Sequence, residues 1–192
     1  MNINYKELFS TKSNLLSLFR LFLAIPFWIL FDQFNTPWGP VALFSLCILV
    51  IITDMFDGFL ARKFNEVTEM GKIIDPLADK VVAGAIIIKI YLLGLIPDYY
   101  FFMIVGRDII IFLGGIYVTN KIGKVLPSNK LGKATIAIIG IVIILIILKI
   151  NLDGSLFLSF YYLSIILIFA SLFGYIYRGF EYIKSHKTVT NE

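Results

Sequence analysis

Charge is scarce in this chain. Only 16% of its 192 residues are Asp, Glu, Lys or Arg, where a soluble domain carries about 25%. Histidine and cysteine are nearly missing: His186 lies in a polar tail and reads as a solvated side chain, and Cys47 lies in an apolar run as a small packing residue. One thiol excludes an intrachain disulfide and a cysteine-based metal cluster. Long polar loops are also missing, as are internal repeats and low-complexity tracts, so no separate soluble domain fits between the apolar stretches. The formal net charge of +4 is a modest excess. It suits anionic headgroups or phosphorylated substrates and is too weak to argue for nucleic acid.

Apolar residues are what the chain has in abundance, at 59% with a mean hydropathy of +0.89. A water-soluble globule of this length has too little core to hide them, so the solvent for most of the chain is lipid. Crossing about 30 Å of hydrocarbon takes around 20 helical residues. Six stretches meet that need, at 15–34, 39–58, 78–96, 99–118, 133–150 and 156–177, separated by turn formers such as Asn35-Thr36-Pro37, Pro97-Asp98, Pro127-Ser128-Asn129 and Asn151-Leu152-Asp153-Gly154. The expected architecture is all-α: one six-span membrane domain over 1–192. The first stretch contains Arg20 and no small-residue cleavage site follows it, so it is expected to be retained rather than removed as a signal. Residues 1–12 mix Ile3, Leu8 and Phe9 with polar residues, compatible with a short helix on the membrane surface.

Lys and Arg stay on the cytoplasmic side of a membrane. With six spans, the side that holds both termini carries Lys6, Lys12, Arg62, Lys63, Lys72, Lys80, Lys121, Lys124, Lys130, Arg178, Lys184 and Lys187. The other side offers Asp32, Asp98 and Asp153, with Lys149 as its base. Both termini are therefore expected in the cytoplasm.

The scarce charge is concentrated. Residues 54–80 hold six of the thirteen acids and four of the seventeen bases. Asp54 and Asp57 are three apart, and Asp75 and Asp79 four apart, so on helices each pair shares a face. Joined by a short turn, two such helices point four carboxylates at one gap. Even one Asp at the centre of a bilayer costs about 2.5–3.5 kcal/mol on insertion scales, so something positive must occupy that gap. Oxygen ligands without His or Cys favour Mg²⁺ or Mn²⁺, and four carboxylates are enough for two ions, an arrangement suited to phosphoryl chemistry. Gly58, Ala61 and Gly71 remove bulk one turn from the acids, and Arg62 offers a planar fork for a phosphate or a base edge. Pro76 predicts a kink or a start in the third helix and biases Asp75 away from helical geometry. Glu66 and Glu69 fall in the predicted turn as solvated charges.

The pattern Asp54-x-x-Asp57-Gly58-x-x-Ala61-Arg62, eight residues, then Gly71-x-x-x-Asp75-x-x-x-Asp79 resembles the signature of the CDP-alcohol phosphotransferase family at every position. The resemblance implies six spans, a homodimer, and transfer of a phosphoalcohol from a CDP-linked donor to an acceptor hydroxyl with release of CMP. It implies that Asp54, Asp57, Asp75 and Asp79 hold metal and that Asp79 is also the general base. Gly58, Ala61 and Arg62 correspond to the nucleotide site, and Thr68 to a position where such enzymes often place a hydroxyl.

Residues 13–26 resemble the opening of the bacterial phosphatidylglycerophosphate synthases, a branch of that family. Asn14, Ser17 and Arg20, at steps of three, share a helix face there, and a nucleotide-contacting role is the reading for that face. Arg107 lies mid-segment and needs an anion, either neighbouring Asp108 or an acceptor's phosphate. With Lys130 and Lys133 it makes a candidate site for a phosphorylated acceptor. The resemblance thus implies CDP-diacylglycerol as donor and glycerol 3-phosphate as acceptor, in a bacterial cell membrane. Phosphatidylglycerol, serine or an inositol phosphate are the alternative acceptors, because Ile136 and Ala137 stand where polar residues are often seen. A divalent-cation transporter is disfavoured: transporter sites gather near the midplane from repeated, broken helices, whereas these aspartates belong to one hairpin. Lys89, inside the third stretch, pairs with an acid or reaches an interface and has no assigned role.

Overall fold

In the computed structural model the backbone is described over residues 12–64, 71–122 and 130–189, and side chains over 15–56, 77–121 and 130–184. Six helices fill these ranges: α1 (Lys12–Phe31), α2 (Gly39–Phe64), α3 (Gly71–Leu92), α4 (Asp98–Ile122), α5 (Lys130–Ile147) and α6 (Ser155–Val189). No strand occurs among the described residues. The proposed surface helix at the N-terminus lies outside them.

Among the described residues four stretches are long and apolar enough to cross a membrane: Gly39–Phe56, Asp98–Lys121, Lys130–Ile147 and Ser155–Lys184. Only 17–28% of the residues in them are buried, so most of their apolar surface needs lipid as its cover. The architecture is that of a polytopic integral membrane protein. The described apolar part of α1 is Leu15–Phe31. The helix α3 carries Asp79, Lys80 and Lys89 among its described side chains. It also begins at Gly71, seven residues before the expected stretch, and runs through Pro76 instead of starting there. One lost backbone donor does not stop a helix whose remaining turns continue to bond.

The chain forms two compact units, residues 1–95 and 96–192. In the first, α1 packs along both α2 and α3. Ser17, Arg20, Leu23, Phe27 and Phe31 are its buried stripe, at steps of three and four that keep one face inward. Its connection to α2 is tight. Gly39 cannot carry a side chain, since a Cβ there would lie 1.9 Å from the Gln33 carbonyl oxygen, and its N–H donates to Thr36 Oγ1 at 3.1 Å. At the far end of α3, Gly94 (φ 68°) donates to the Tyr91 carbonyl while Leu95 donates to that of Ile90, the Schellman arrangement that closes a helix. Near there Lys89 Nζ donates to Asp32 Oδ1 at 2.7 Å and sits 4.8 Å from the centre of the Trp28 ring. The base left without a role is thus a clamp between the ends of α1 and α3.

In the second unit α6 packs along both α4 and α5. Phe157, Tyr161, Ser164, Ile168 and Ser171 are buried along it. The hydroxyls of Tyr100 and Ser164 lie 2.7 Å apart, and Arg107 Nε donates to Ser171 Oγ at 3.2 Å. Seven residues separate these contacts on each helix, so α4 and α6 run parallel. Thr135 ties α5 to α6: its hydroxyl lies 2.7 Å from the Leu131 carbonyl oxygen and 3.1 Å from that of Leu167. An apolar groove between α4 and α6 is lined by Ile110, Gly114, Val118, Leu172, Ile176 and Gly179.

Interhelical hydrogen bonds of this kind in membrane proteins average about 0.6 kcal/mol. Thr135→Val, nearly isosteric, is expected to lower stability by about 0.5–1.5 kcal/mol, read as a lower midpoint of thermal unfolding in detergent. An unchanged midpoint would show that the Leu167 contact contributes nothing.

Candidate active site

The inward stripe of α1 carries one charged residue, Arg20, and its side chain is fully buried at 0% exposure. A guanidinium remains protonated at any accessible pH, so burial forces it to find an anion. It finds two. Its Nη1 donates to Asp54 Oδ1 at 2.7 Å and also to Asp79 Oδ1. These acids belong to different helices, α2 and α3, so three helices meet at one nitrogen. The carboxylates are 58% and 54% exposed. The cluster therefore has a dry cationic floor and a wet anionic rim, open to a ligand from the rim side.

The other sequence-derived positions fall around this cluster by backbone. Asp57, Gly58, Ala61 and Arg62 follow Asp54 within about two turns on α2, and Asp75 precedes Asp79 by one turn on α3. Asn14 and Ser17 precede Arg20 on α1; Ser17 is fully buried. The side chains of Asn14, Asp57, Gly58 to Arg62 and Asp75 lie outside the described residues, as do Glu66, Thr68 and Glu69 altogether. Among the described residues no group of three or more His, Cys, Asp or Glu gathers; the gathered pair is Asp54 and Asp79. An exposed all-oxygen pair converging from two helices fits a hard divalent ion. The described contact of Asp54 is with Arg20, a role that the sequence reading missed. The signal was present: a base mid-way through an apolar stretch needs an anion, as was argued for Arg107.

Arg107 in the second unit is 5% exposed. Its Nη1 donates to Asp108 Oδ1 at 2.7 Å, its Nε to Ser171 Oγ at 3.2 Å, and its Nη2 approaches the Gly132 carbonyl oxygen at 3.4 Å. Of the two anions considered for it, Asp108 is the one in contact. The guanidinium also reaches the first turn of α5, between exposed Lys130 and Lys133. A Cβ on Gly132 would come within 3.3 Å of Nη2, a close contact that the bare backbone avoids. The structure thus brings Arg107 to the turn that bears both lysines.

A sequence model of the CDP-alcohol phosphatidyltransferases matches residues 10–176, which cover most of both units. The chain belongs to this family. Among its relatives is a protein of Aquifex aeolicus, 32% identical over 179 residues, 88% of this chain and 96% of that one. A protein of Rickettsia bellii is 31% identical over 165 residues, 85% of this chain and 89% of the other. A third, from Escherichia coli K12, is 44% identical over 70 residues, 36% of this chain and 38% of that one. All three are named CDP-diacylglycerol–glycerol-3-phosphate 3-phosphatidyltransferase. For a CDP-alcohol phosphatidyltransferase, the match carries the carboxylates at 54–79 and the bases at 107–133 within one family region.

Proposed function

We propose that this membrane protein transfers the phosphatidyl group of CDP-diacylglycerol to a hydroxyl of glycerol 3-phosphate, releasing CMP, in a metal-dependent step of phospholipid synthesis. The observation that carries the chemistry is the convergence of Asp54 and Asp79 from separate helices on one buried cation. The identity of donor and acceptor rests on the relatives that match over most of both chains. The family match runs through both compact units, which supports reading them as one functional domain.

Asp54, Asp57, Asp75 and Asp79 would hold one or two Mg²⁺ or Mn²⁺ ions, which supply charge neutralisation at the diphosphate. Asp79 is the proposed general base: exposed, at the mouth of the cluster, and oriented by its hydrogen bond from Arg20. In the reaction the acceptor hydroxyl oxygen forms a bond to the lipid-bearing phosphorus. The bond from that phosphorus to the CMP oxygen breaks, and CMP leaves with the electron pair. The hydroxyl proton passes to the Asp79 carboxylate. Asn14, Ser17, Gly58, Ala61, Arg62 and Thr68 are proposed to line the nucleotide site. Arg107, Lys130 and Lys133 are proposed to hold the acceptor's phosphate, the lysines as mobile point charges and Arg107 as the fixed donor that anchors the turn. The distribution of Lys and Arg supports cytoplasmic termini and a cytoplasmic site in a bacterial cell membrane. Family resemblance supports a homodimer.

Purified protein with CDP-diacylglycerol and Mg²⁺ is expected to release CMP only when an acceptor is added, with glycerol 3-phosphate preferred over serine, inositol phosphate and phosphatidylglycerol offered in parallel. Metal flux without CMP release would sink the enzyme reading. Asp79→Asn is expected to lower turnover by about 10²–10⁴-fold while CDP-diacylglycerol binding remains measurable; retained turnover removes Asp79 from its role as base. Lys130→Gln with Lys133→Gln is expected to raise KM for glycerol 3-phosphate roughly tenfold, as loss of charge-assisted contacts to a phosphate requires. KM for CDP-diacylglycerol should stay close to its original value, and a rise in that constant instead would move the lysines to the donor site.

A further inference from the structure

The contacts of Arg20 reach beyond the roles proposed so far. Its guanidinium is buried and permanently charged, so it requires an anion in every state of the protein. Asp54 and Asp79 do not depend on it to the same degree, being more than half exposed to water. Their proposed function, moreover, is to give those same oxygens to a divalent ion. Arg20 Nη1 occupies one oxygen of each carboxylate, and an ion drawing on both meets a positive charge already there.

We infer that Arg20 is the site's built-in counter-cation, competing with the divalent ion for Asp54 and Asp79 and thereby setting how tightly the site holds metal. The inference rests on the reading of these aspartates as metal ligands. Without an ion, Arg20 neutralises part of their mutual repulsion and keeps α2 and α3 drawn to α1, so the ligands stay gathered. When an ion enters, the guanidinium either yields those oxygens or remains beside them, and in both cases its charge opposes the cation. An arginine serves this purpose where a lysine on the same stem would hold its charge on a single, rotatable head, because the fork keeps further donors for neighbouring acceptors. The family signature ends at its eight positions on α2 and α3 and does not contain Arg20; the counter-cation comes from the third helix.

The test is a Mn²⁺ titration of the detergent-purified full chain, with free ion read by electron paramagnetic resonance. Arg20→Gln is expected to bind Mn²⁺ about tenfold more tightly than the unaltered protein, equivalent to about 1.4 kcal/mol, and Arg20→Lys to stay within about threefold of it. Equal or weaker binding by Arg20→Gln overturns the competition and leaves the metal site standing. Absence of Mn²⁺ binding in the unaltered protein overturns the metal reading and this inference with it. A second measurement does not depend on the glutamine variant folding. The guanidinium ¹⁵N resonance of Arg20, assigned by its loss in Arg20→Lys, should shift as Mg²⁺ is added, with the midpoint of ion binding. A resonance that stays in place through saturation overturns the proposal.

Discussion

A buried arginine that cannot lose its proton is the constraint on which the first unit is built. Arg20 lies on the inward stripe of α1, fully covered, and its anions come from α2 and α3. Leaving a buried charge uncompensated costs about 3–5 kcal/mol, comparable with deleting a large core side chain. That penalty applies in full where both carboxylate helices drift from α1 and in part where one does. Apolar packing of Leu23, Phe27, Leu43 and Ile90 holds the helices together without saying where along their lengths they must stop. The ion pairs supply that register. At the other end, about 15 Å further along α3, Lys89 and Asp32 repeat the device with Trp28 beneath the ammonium. Two polar clamps thus fix α1 against α3, one joining a base to a single acid and the other joining a base to acids of two helices.

The second unit solves the same problem differently. Arg107 takes its ionic partner from the next residue of its own helix, Asp108, so the pair carries little information about where other helices lie. Positioning falls instead to neutral contacts: Ser171 on α6 and the Gly132 carbonyl on α5. Because Tyr100–Ser164 and Arg107–Ser171 share the same seven-residue step, α4 and α6 hold one face to each other over two turns. The fork can therefore lie across the start of α5 without bearing the structural load that Arg20 bears.

Local features of both units were legible in the sequence, and features built from distant residues were not. Asn35-Thr36-Pro37, Pro97 and Asn151 to Gly154 fall between helices as turn chemistry requires, with Asn151 Oδ1 accepting from the Asp153 N–H at 3.0 Å. Apolarity marked where lipid contact ends, which is not where hydrogen bonding ends. That is why α6 continues to Val189 through Arg178, Glu181 and Lys184, and why α3 starts at Gly71 despite Pro76. The carboxylate spacing within each helix follows from 3.6 residues per turn and could be read directly. The pairing of Arg20 with acids 34 and 59 residues away depends on packing, which no spacing rule encodes. What the sequence did contain was the need: three bases, Arg20, Lys89 and Arg107, in apolar surroundings that would not tolerate them alone.

All three bases meet acids, so the presence of a partner does not separate a functional site from a structural clamp. The charge balance of each cluster does. Lys89 with Asp32 is one base to one acid; it neutralises itself and attracts nothing further. Among the described residues Arg20 meets two acids, so this set of contacts carries one more negative charge than positive. On the proposed reading that excess draws a divalent ion, and the exposed carboxylates let it arrive. Arg107 pairs with Asp108, and the α5 turn that it touches carries Lys130 and Lys133, bases that the proposed reading gives to the acceptor's phosphate. The proposed reaction, which joins a metal-held diphosphate to a phosphorylated alcohol, uses one region of each sign. In a chain with so few charges, the clusters with an excess of one sign are the candidates for those regions.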